Sequence, residues 1–491
     1  LNTTLGIDLG TSEVKLALLS EDGRLLATAG TPLAVSRPRP HWSEQHPQDW
    51  WDALVAAAAA LRAAHPAEFA AVQAIGLAGQ MHGAVLLDAA GAVLRPAILW
   101  NDTRSGAECD ELVRRLPALP AIAGNLAMPG FTAPKLLWVE RHEPDVHARV
   151  ARVLLPKDWL RWRMTGAAFS DMSDAAGTLW LDVGARAWSD ALLDAGGMRR
   201  AQMPALVEGA DVAGRLHAEA ARALGLREGT PVAGGGGDNA ASAVGLGAVA
   251  PGDGFLSLGT SGVLFVVTDR HRPNPAGAVH AFCHALPGRW HQMSVMLSAA
   301  SALQWVTRLT GAADEAALLE QAAALSPAER ARAPLFLPYL SGERTPHNDP
   351  HATGAFHGLT HDSGPGALAH AVIEGVGFGL ADGLDALRAA GTTVGTLSLV
   401  GGGARSALWS QLLADILAVP LATVEGAAAG GAMGAARLAW MALGRPEAEA
   451  CAPPPVRARF EPDPARHADL APRLARFRAL YLATRALNPH D

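Results

Sequence analysis

Cysteine is scarce in this sequence: Cys109, Cys283 and Cys451 are the only three in 491 residues, far apart and without a C-x-x-C pair. That excludes a disulfide framework and a cysteine zinc site, and it points to a reducing compartment. Charge is sparse as well, at 18% of residues, and a formal net charge of −7 excludes a general binder of nucleic acid or acidic membranes. The longest uninterrupted apolar run, near residues 53–61, is too short to span a bilayer and is flanked by Asp52 and Arg62. Near the start, Leu5-Gly6-Ile7-Asp8-Leu9-Gly10 puts an acid and a turn where a signal peptide needs its apolar centre. A cytoplasmic protein is the expectation. Two nucleotide-binding signatures are missing too. The absence of G-x-x-x-x-G-K-[ST] excludes a Walker P-loop protein, and no G-x-G-x-x-G opens the first helix, which speaks against a Rossmann dehydrogenase.

What the chain does have is glycine loops at the ends of apolar runs. Pro231-Val232-Ala233 leads into four glycines, then Asp238-Asn239 and an Ala- and Val-rich stretch, a strand–loop–helix pattern. Helix N-termini favour anions, and Asp238 stands where a base could meet a substrate. Asp is also a favoured helix N-cap, and these residues alone favour the cap.

Several elements follow in order. Residues 5–9, 14–19 and 24–29 are predicted as three antiparallel strands with tight turns, Asp22-Gly23 marking the second. Residues 48–64 form an Ala- and Leu-rich helix with Pro47 at its start. A strand at 74–78 runs into Gly79-Gln80-Met81-His82-Gly83, where a Met and a His held between glycines suit a cleft wall, and 84–87 continues as strand. A strand at 97–100 precedes Asn101-Asp102-Thr103-Arg104, in which an acid and an Arg read as a loop-fixing ion pair. Helix-like pieces at 133–141 and 157–164 lie among five tryptophans, 138, 159, 162, 180 and 188, which suit core or cleft-wall packing because no basic stripe accompanies them.

The N-terminal Asp8-Leu9-Gly10-Thr11-Ser12 recurs as Ser257-Leu258-Gly259-Thr260-Ser261, each time between two apolar strands. Two copies of one hairpin, one opening each half, imply two domains of related fold, 1–246 and 247–491. The second half adds helices at 297–309, 367–389 and 407–418. Its strand at 397–400 ends in Gly401, Gly402 and Gly403, and a final helix at 467–486 carries arginines expected to form a solvated face. Gly-Thr hairpins can cradle phosphates with backbone N–H groups and hydroxyls. The fold class predicted is α/β, two ribonuclease-H-like (actin-like ATPase) domains with a nucleotide in the cleft between them.

Long segments then make the sequence similar to the FGGY carbohydrate kinase family over nearly its whole length. They include HWSEQHP from His41, AGQMHGAVLLD from Ala78, LLPKDWL from Leu154, SDMSDAAGTLWLDV from Ser170, FLPYLSGERTPHN from Phe336 and GGGARS from Gly401. The resemblance implies ATP-dependent phosphorylation of a sugar or polyol, with ATP and Mg²⁺ as cofactors. It makes Asp238 the proton acceptor and Asp8 the acid that supports Mg²⁺ and the phosphates, with Asp238 as a second metal contact. Gln80, Met81, His82, Asp238 and Asn239 become the sugar contacts, and Gly10, Thr11, Gly259, Thr260, Gln304, Gly401, Gly402 and Gly403 the nucleotide contacts. Glycerol-specific relatives carry an Arg-Glu pair where this chain has Met81-His82, so the resemblance favours a ketose: D-xylulose first, as part of xylose catabolism, then ribulose or another pentulose. Dimers are common in the family. The sequence departs from its pattern at Ala367 and in the Gly- and Ala-rich tract 426–436, both expected on the nucleotide side or on outer helices. A different class, an actin- or Hsp70-like ATPase, would use the same cleft without a sugar loop.

Overall fold

The computed structural model describes residues 2–488; Leu1 and the last three residues of the second expected domain lie outside it. The first half opens with β1 (Thr3–Leu9), β2 (Glu13–Ser20) and β3 (Leu25–Pro32), an antiparallel meander as its turn residues predict. Then come α1 (Pro47–Ala64), β4 (Val72–Gly79), α2 (Thr132–His142) and α3 (Pro156–Thr165). The half closes with β5 (Val212–Arg215), β6 (Pro231–Ala233), the two-residue β7 (Gly236–Gly237) and α4 (Asp238–Gly245). The sheet runs β5-β6-β4-β1-β2-β3, with β7 also paired to β4. Strand residues 97–98 pair apart from it, so the strand expected at 97–100 is real but short.

The second half repeats this plan with β8 (Gly254–Leu258), β9 (Gly262–Thr268), β10 (His280–Cys283) and β11 (Trp290–Met296). After α5 (Ala300–Thr310), α6 (Glu315–Ala323) and α7 (Pro365–Ala389) come β12 (Leu397–Val400), α8 (Ala407–Leu417), β13 (Leu421–Val424), α9 (Gly430–Ala442), β14 (Val456–Phe460) and α10 (Pro464–Arg485). Its sheet runs β10-β11-β9-β8-β12-β13-β14. In both halves the opening strand pairs antiparallel with the second and parallel with a later one. The repeated Gly-Thr hairpin therefore reflects a repeated sheet. By composition α7 is long and apolar enough to cross a membrane, yet 89% of its apolar window is buried inside the second half, where it is the core helix.

Three expectations are corrected here. Of the two places expected for the tract 426–436, the nucleotide side or an outer helix, the outer helix is excluded: the tract leads into α9, which lies across β1 and β4 of the first sheet and against α4. Gly6 and Gly76 are register partners on those strands, and a Cβ on either would run into the carbonyl of Ala432 or Ala435. A helix that approaches a sheet so closely requires glycine and alanine on both faces, which accounts for the tract's composition. The arginines of α10 are not all solvated either. Arg473 is buried, its Nη2 2.5 Å and Nε 2.8 Å from the Glu374 carboxylate of α7. Arg478 reaches Asp382 at 2.6 Å. The helix expected at 297–309 begins at Ala300, because β11 extends to Met296 and the Leu297 N–H is taken by Glu343 at 3.0 Å.

Candidate active site

The register of the first sheet assembles the site. Leu9 on β1 pairs with Gly79 on β4, and Gly79 pairs with Gly237 on β7. Three parallel strands thus end in one row, spanning about 10 Å at ordinary strand spacing. From that row emerge Gly10-Thr11, Gln80-Met81-His82 and Asp238-Asn239, side by side. Open α/β sheets bind ligands at such carboxyl edges.

Asp238 is the first residue of α4; Gly237 holds the N-cap position and no side chain caps the helix. The backbone N–H of Asn239 donates to Asp238 Oδ1 at 2.7 Å and its Nδ2 donates at 2.9 Å. Among the described residues no hydrogen bond falls on Oδ2, which leaves that oxygen to accept a proton. Burial raises the Asp238 carboxyl to about 6 against the lowering effect of the Asn239 donors. Asp8, two residues before Gly10, feels both burial and the Asp238 carboxylate, and is raised to about 7. Among the described residues its buried Oδ1 has no hydrogen-bond partner, and a Cβ on Gly431, at the start of α9, would stand 2.8 Å from its Oδ2.

The Met-His loop is shaped from two sides. Met81 lies over the glycine loop before Asp238, so that a Cβ on Gly237 would stand 2.9 Å from its Cγ and Sδ. His82 adopts φ 70°, a left-handed conformation uncommon for a residue with a side chain. Its carbonyl accepts from Lys135 Nζ and Thr132 Oγ1, both at 3.0 Å, which holds that conformation. His82 Nδ1 lies 2.7 Å from the Gly177 carbonyl and so must carry the proton, leaving Nε2 as an acceptor. Burial, with Lys135 and Arg344 nearby, lowers the imidazole to about 3, so it is neutral near pH 7.

Gln80 is placed differently from the sequence-based expectation of a sugar contact. It is buried, its Oε1 accepts from Thr11 Oγ1 at 3.2 Å, and its Nε2 donates to Gln45 Oε1 at 3.1 Å and Gly10 O at 3.4 Å. Trp100 Nε1 donates to the same Thr11 hydroxyl at 2.9 Å, and Gln45 Nε2 to the Thr11 carbonyl at 2.7 Å. The amide of Gln80 and the hydroxyl of Thr11 thus brace the first hairpin against the loop that carries Met81 and His82. Gln45 and Trp100 escaped sequence reasoning, since nothing local to them signals a partner dozens of residues away. The Asp102–Arg104 pair, by contrast, is the expected loop clamp at 2.6 Å.

In the second sheet Ser257 pairs with Val400, so Gly259-Thr260 and Gly401 to Gly403 emerge together. Gly401, at φ 91°, passes so close that a Cβ would stand 2.6 Å from the Leu258 carbonyl. Ala300 N donates to Gly259 O at 2.8 Å and Ala299 N to Thr260 O at 2.9 Å, tying the hairpin to the start of α5. Beside it opens a cavity of about 500 Å³ whose lining includes Gln304, Gly402, Gly403, Arg405 and Ser406. The structure brings Gln304 and the glycine loop, far apart in sequence, to one cavity within the usual size range of small-molecule pockets.

Residues 3–245 match the N-terminal domain and residues 254–443 the C-terminal domain of the FGGY family of carbohydrate kinases. The chain is 54% identical over 479 residues to a protein named xylulose kinase from Escherichia coli (strain K12), covering 97% of this chain and 98% of that one. It is 53% identical over 480 residues to a xylulose kinase from Klebsiella pneumoniae, with the same coverage. The crystal structure of a xyloylose kinase from Brucella ovis superposes with a TM-score of 0.95 at 52% identity, covering 99% of this chain and 100% of that one. With both domains matched and both sheets of the actin-like ATPase fold present, the chain belongs to the FGGY family of carbohydrate kinases.

Proposed function

We propose that this chain transfers the γ-phosphoryl group of ATP to D-xylulose, forming D-xylulose 5-phosphate and ADP. The observation that carries the sugar assignment is identity above 50%, over almost the entire chain, to proteins named xylulose kinase. The proposed division of labour is sugar binding and the base in residues 1–246 and nucleotide binding in residues 247–491.

Asp238 Oδ2 accepts the proton of the sugar's primary hydroxyl as its oxygen forms a bond to the γ-phosphorus and the bond to the β,γ-bridging oxygen breaks. General-base assistance of this kind contributes about 10²–10⁴ in rate, and the remainder comes from in-line positioning and charge neutralisation. Asn239 fixes the orientation of the carboxylate, as the two bonds to Oδ1 support. Met81 supplies an apolar wall and neutral His82 a hydrogen-bond acceptor at Nε2, a pairing suited to a polyhydroxylated ketose. Gly259, Thr260, Gln304 and the loop from Gly401 to Gly403 hold the nucleotide, with Gly10-Thr11 facing its phosphates. The unpartnered Asp8 oxygen and the like-charged Asp238 suit a divalent cation, and these two carboxylates would hold Mg²⁺. When bound, the ion neutralises charge on the phosphoryl oxygens.

A coupled assay of ADP release across D-xylulose, D-ribulose, L-ribulose and glycerol tests this reading. The highest kcat/KM is expected for D-xylulose; a higher value for either ribulose would reassign the sugar.

A further inference from the structure

Beneath the row of strand ends lies a buried ionic cluster to which the reading above gives no role. Lys157, on the first turn of α3, is fully buried, and its Nζ lies 2.6 Å from Asp158, 2.6 Å from Asp171 and 3.0 Å from Asp174. Arg161, one turn further on, is equally buried; its Nη2 is 2.6 Å from both Asp158 and the Phe169 carbonyl, and its Nη1 donates to the Gly234 carbonyl. The three carboxylates approach one another as metal ligands would, but the lysine ammonium touches all of them and makes the cluster a lysine site. Two cations face three acids. Burial holds the Asp174 carboxyl well above the usual carboxylate range, against the lowering effect of Lys157.

Taking this many charges out of water is costly, and apolar packing would fill the same space at least as stably. What distinguishes the cluster is where its hydrogen bonds end. Asp171 Oδ2 accepts from the Ser173 backbone N–H at 2.8 Å and from the Ser173 hydroxyl at 2.5 Å. The Ser173 oxygen in turn accepts the Gly237 N–H at 3.0 Å. One branch thus ends at Gly234 and the other at Gly237, the two ends of the loop that delivers Asp238. The same helix start supports the sugar loop: a Cβ on Gly79 would stand 3.0 Å from Lys157 Cβ, and one on Gly83 would stand 2.6 Å from Pro156 Cγ.

We propose that Lys157, Arg161 and Ser173 are positioning residues for phosphoryl transfer: without touching substrate, they clamp the loop 234–237 at both ends and hold the Asp238 carboxylate in register with the Met81-His82 loop. The proposal rests on Asp238 being the base. A loop released at Gly237 keeps its composition but loses its alignment, and misplacing a reacting group by about 1 Å can cost on the order of 10²-fold in rate.

Ser173→Ala removes one hydroxyl and leaves every charge in place, so it tests the clamp directly. Measured per folded enzyme with saturating sugar, kcat is expected to fall about 10-fold or more, while KM for ATP and the Kd for ADP, read by tryptophan fluorescence, stay within about twofold. Ser173→Thr, which keeps the hydroxyl, is expected to recover most of kcat. Lys157→Met should lose more than Ser173→Ala; if it fails to fold, the Ser173 pair decides alone. A Ser173→Ala enzyme with kcat within about twofold of the parent, or one whose KM for ATP worsens as much as its kcat, overturns the clamp. If the underlying base assignment is wrong, Asp238→Asn keeps its turnover whatever the Ser173 variants do, so the two failures are distinguishable.

Discussion

Gly79 and Gly237 are register partners on adjacent parallel strands, and this single pairing puts Asp238 beside the loop that carries Met81 and His82. The proposed base and the proposed sugar loop are therefore set by backbone hydrogen bonds within one sheet, while the turns proposed to hold the nucleotide are set within the other.

The contact between Gly237 and Met81 leaves no room for a methyl group. Gly237→Ala is expected to lower kcat/KM for the sugar by about 10-fold or more. Combining it with Met81→Ala, which opens the space, should cost no more than Met81→Ala alone, because contacting residues are not additive. Steady-state kinetics of the two single variants and the double variant check this, and strictly additive losses would place the two residues apart.

The two raised carboxyls predict the pH response. With Asp238 near 6, kcat/KM for the sugar should fall as pH drops through about 6, because protonation removes the base. Stability responds in the opposite sense. A carboxyl whose folded value is raised, as Asp8 is to about 7, contributes stability that is full below its unfolded value near 4 and lost as pH rises through 7. Asp8→Asn should therefore raise the Tm at pH 8 by about 1–3 °C, with little gain at pH 5, where native Asp8 already holds its proton. Differential scanning fluorimetry at the two pH values reads the difference.

Arg473 neutralises Glu374 inside the second half, where burial would otherwise raise the carboxyl further. Arg473→Ala strands that acid and is expected to destabilise by about 3–5 kcal/mol, whereas replacing both partners with apolar residues should recover much of the loss. Urea unfolding of the single and double variants measures it.

The parts of this molecule that were legible in the sequence are those decided locally. The Asp-Gly turn after β2, the two Gly-Thr hairpins and the loop before Asp238 each state their conformation within a few residues, and the hairpin repeat carried the two-sheet plan. Non-local arrangements were not legible. The glycine and alanine content of 426–436 looked like a departure from pattern, because its cause is the close crossing of β1 and β4, more than 350 positions earlier in sequence. Lys157, Asp158 and Arg161 read as an ordinary helix opening until the fold buried them against Asp171 and Asp174. Arg473 lies on a helix whose periodic charges suggest solvent, and only the position of Glu374 reveals that it faces inward. Gln80 sits inside the sugar-loop motif, yet its amide is committed to Thr11, Gly10 and Gln45.

The central claim is sugar phosphorylation with Asp238 as the base, and the most direct test measures ADP release by the parent enzyme and by Asp238→Asn, each with and without D-xylulose. The account predicts that the parent releases one ADP per sugar phosphate formed and little without sugar. It also predicts that Asp238→Asn loses about 10²–10⁴ in kcat while still binding ADP. ADP release by the parent that is indifferent to D-xylulose, or near-parental turnover by Asp238→Asn, would contradict it.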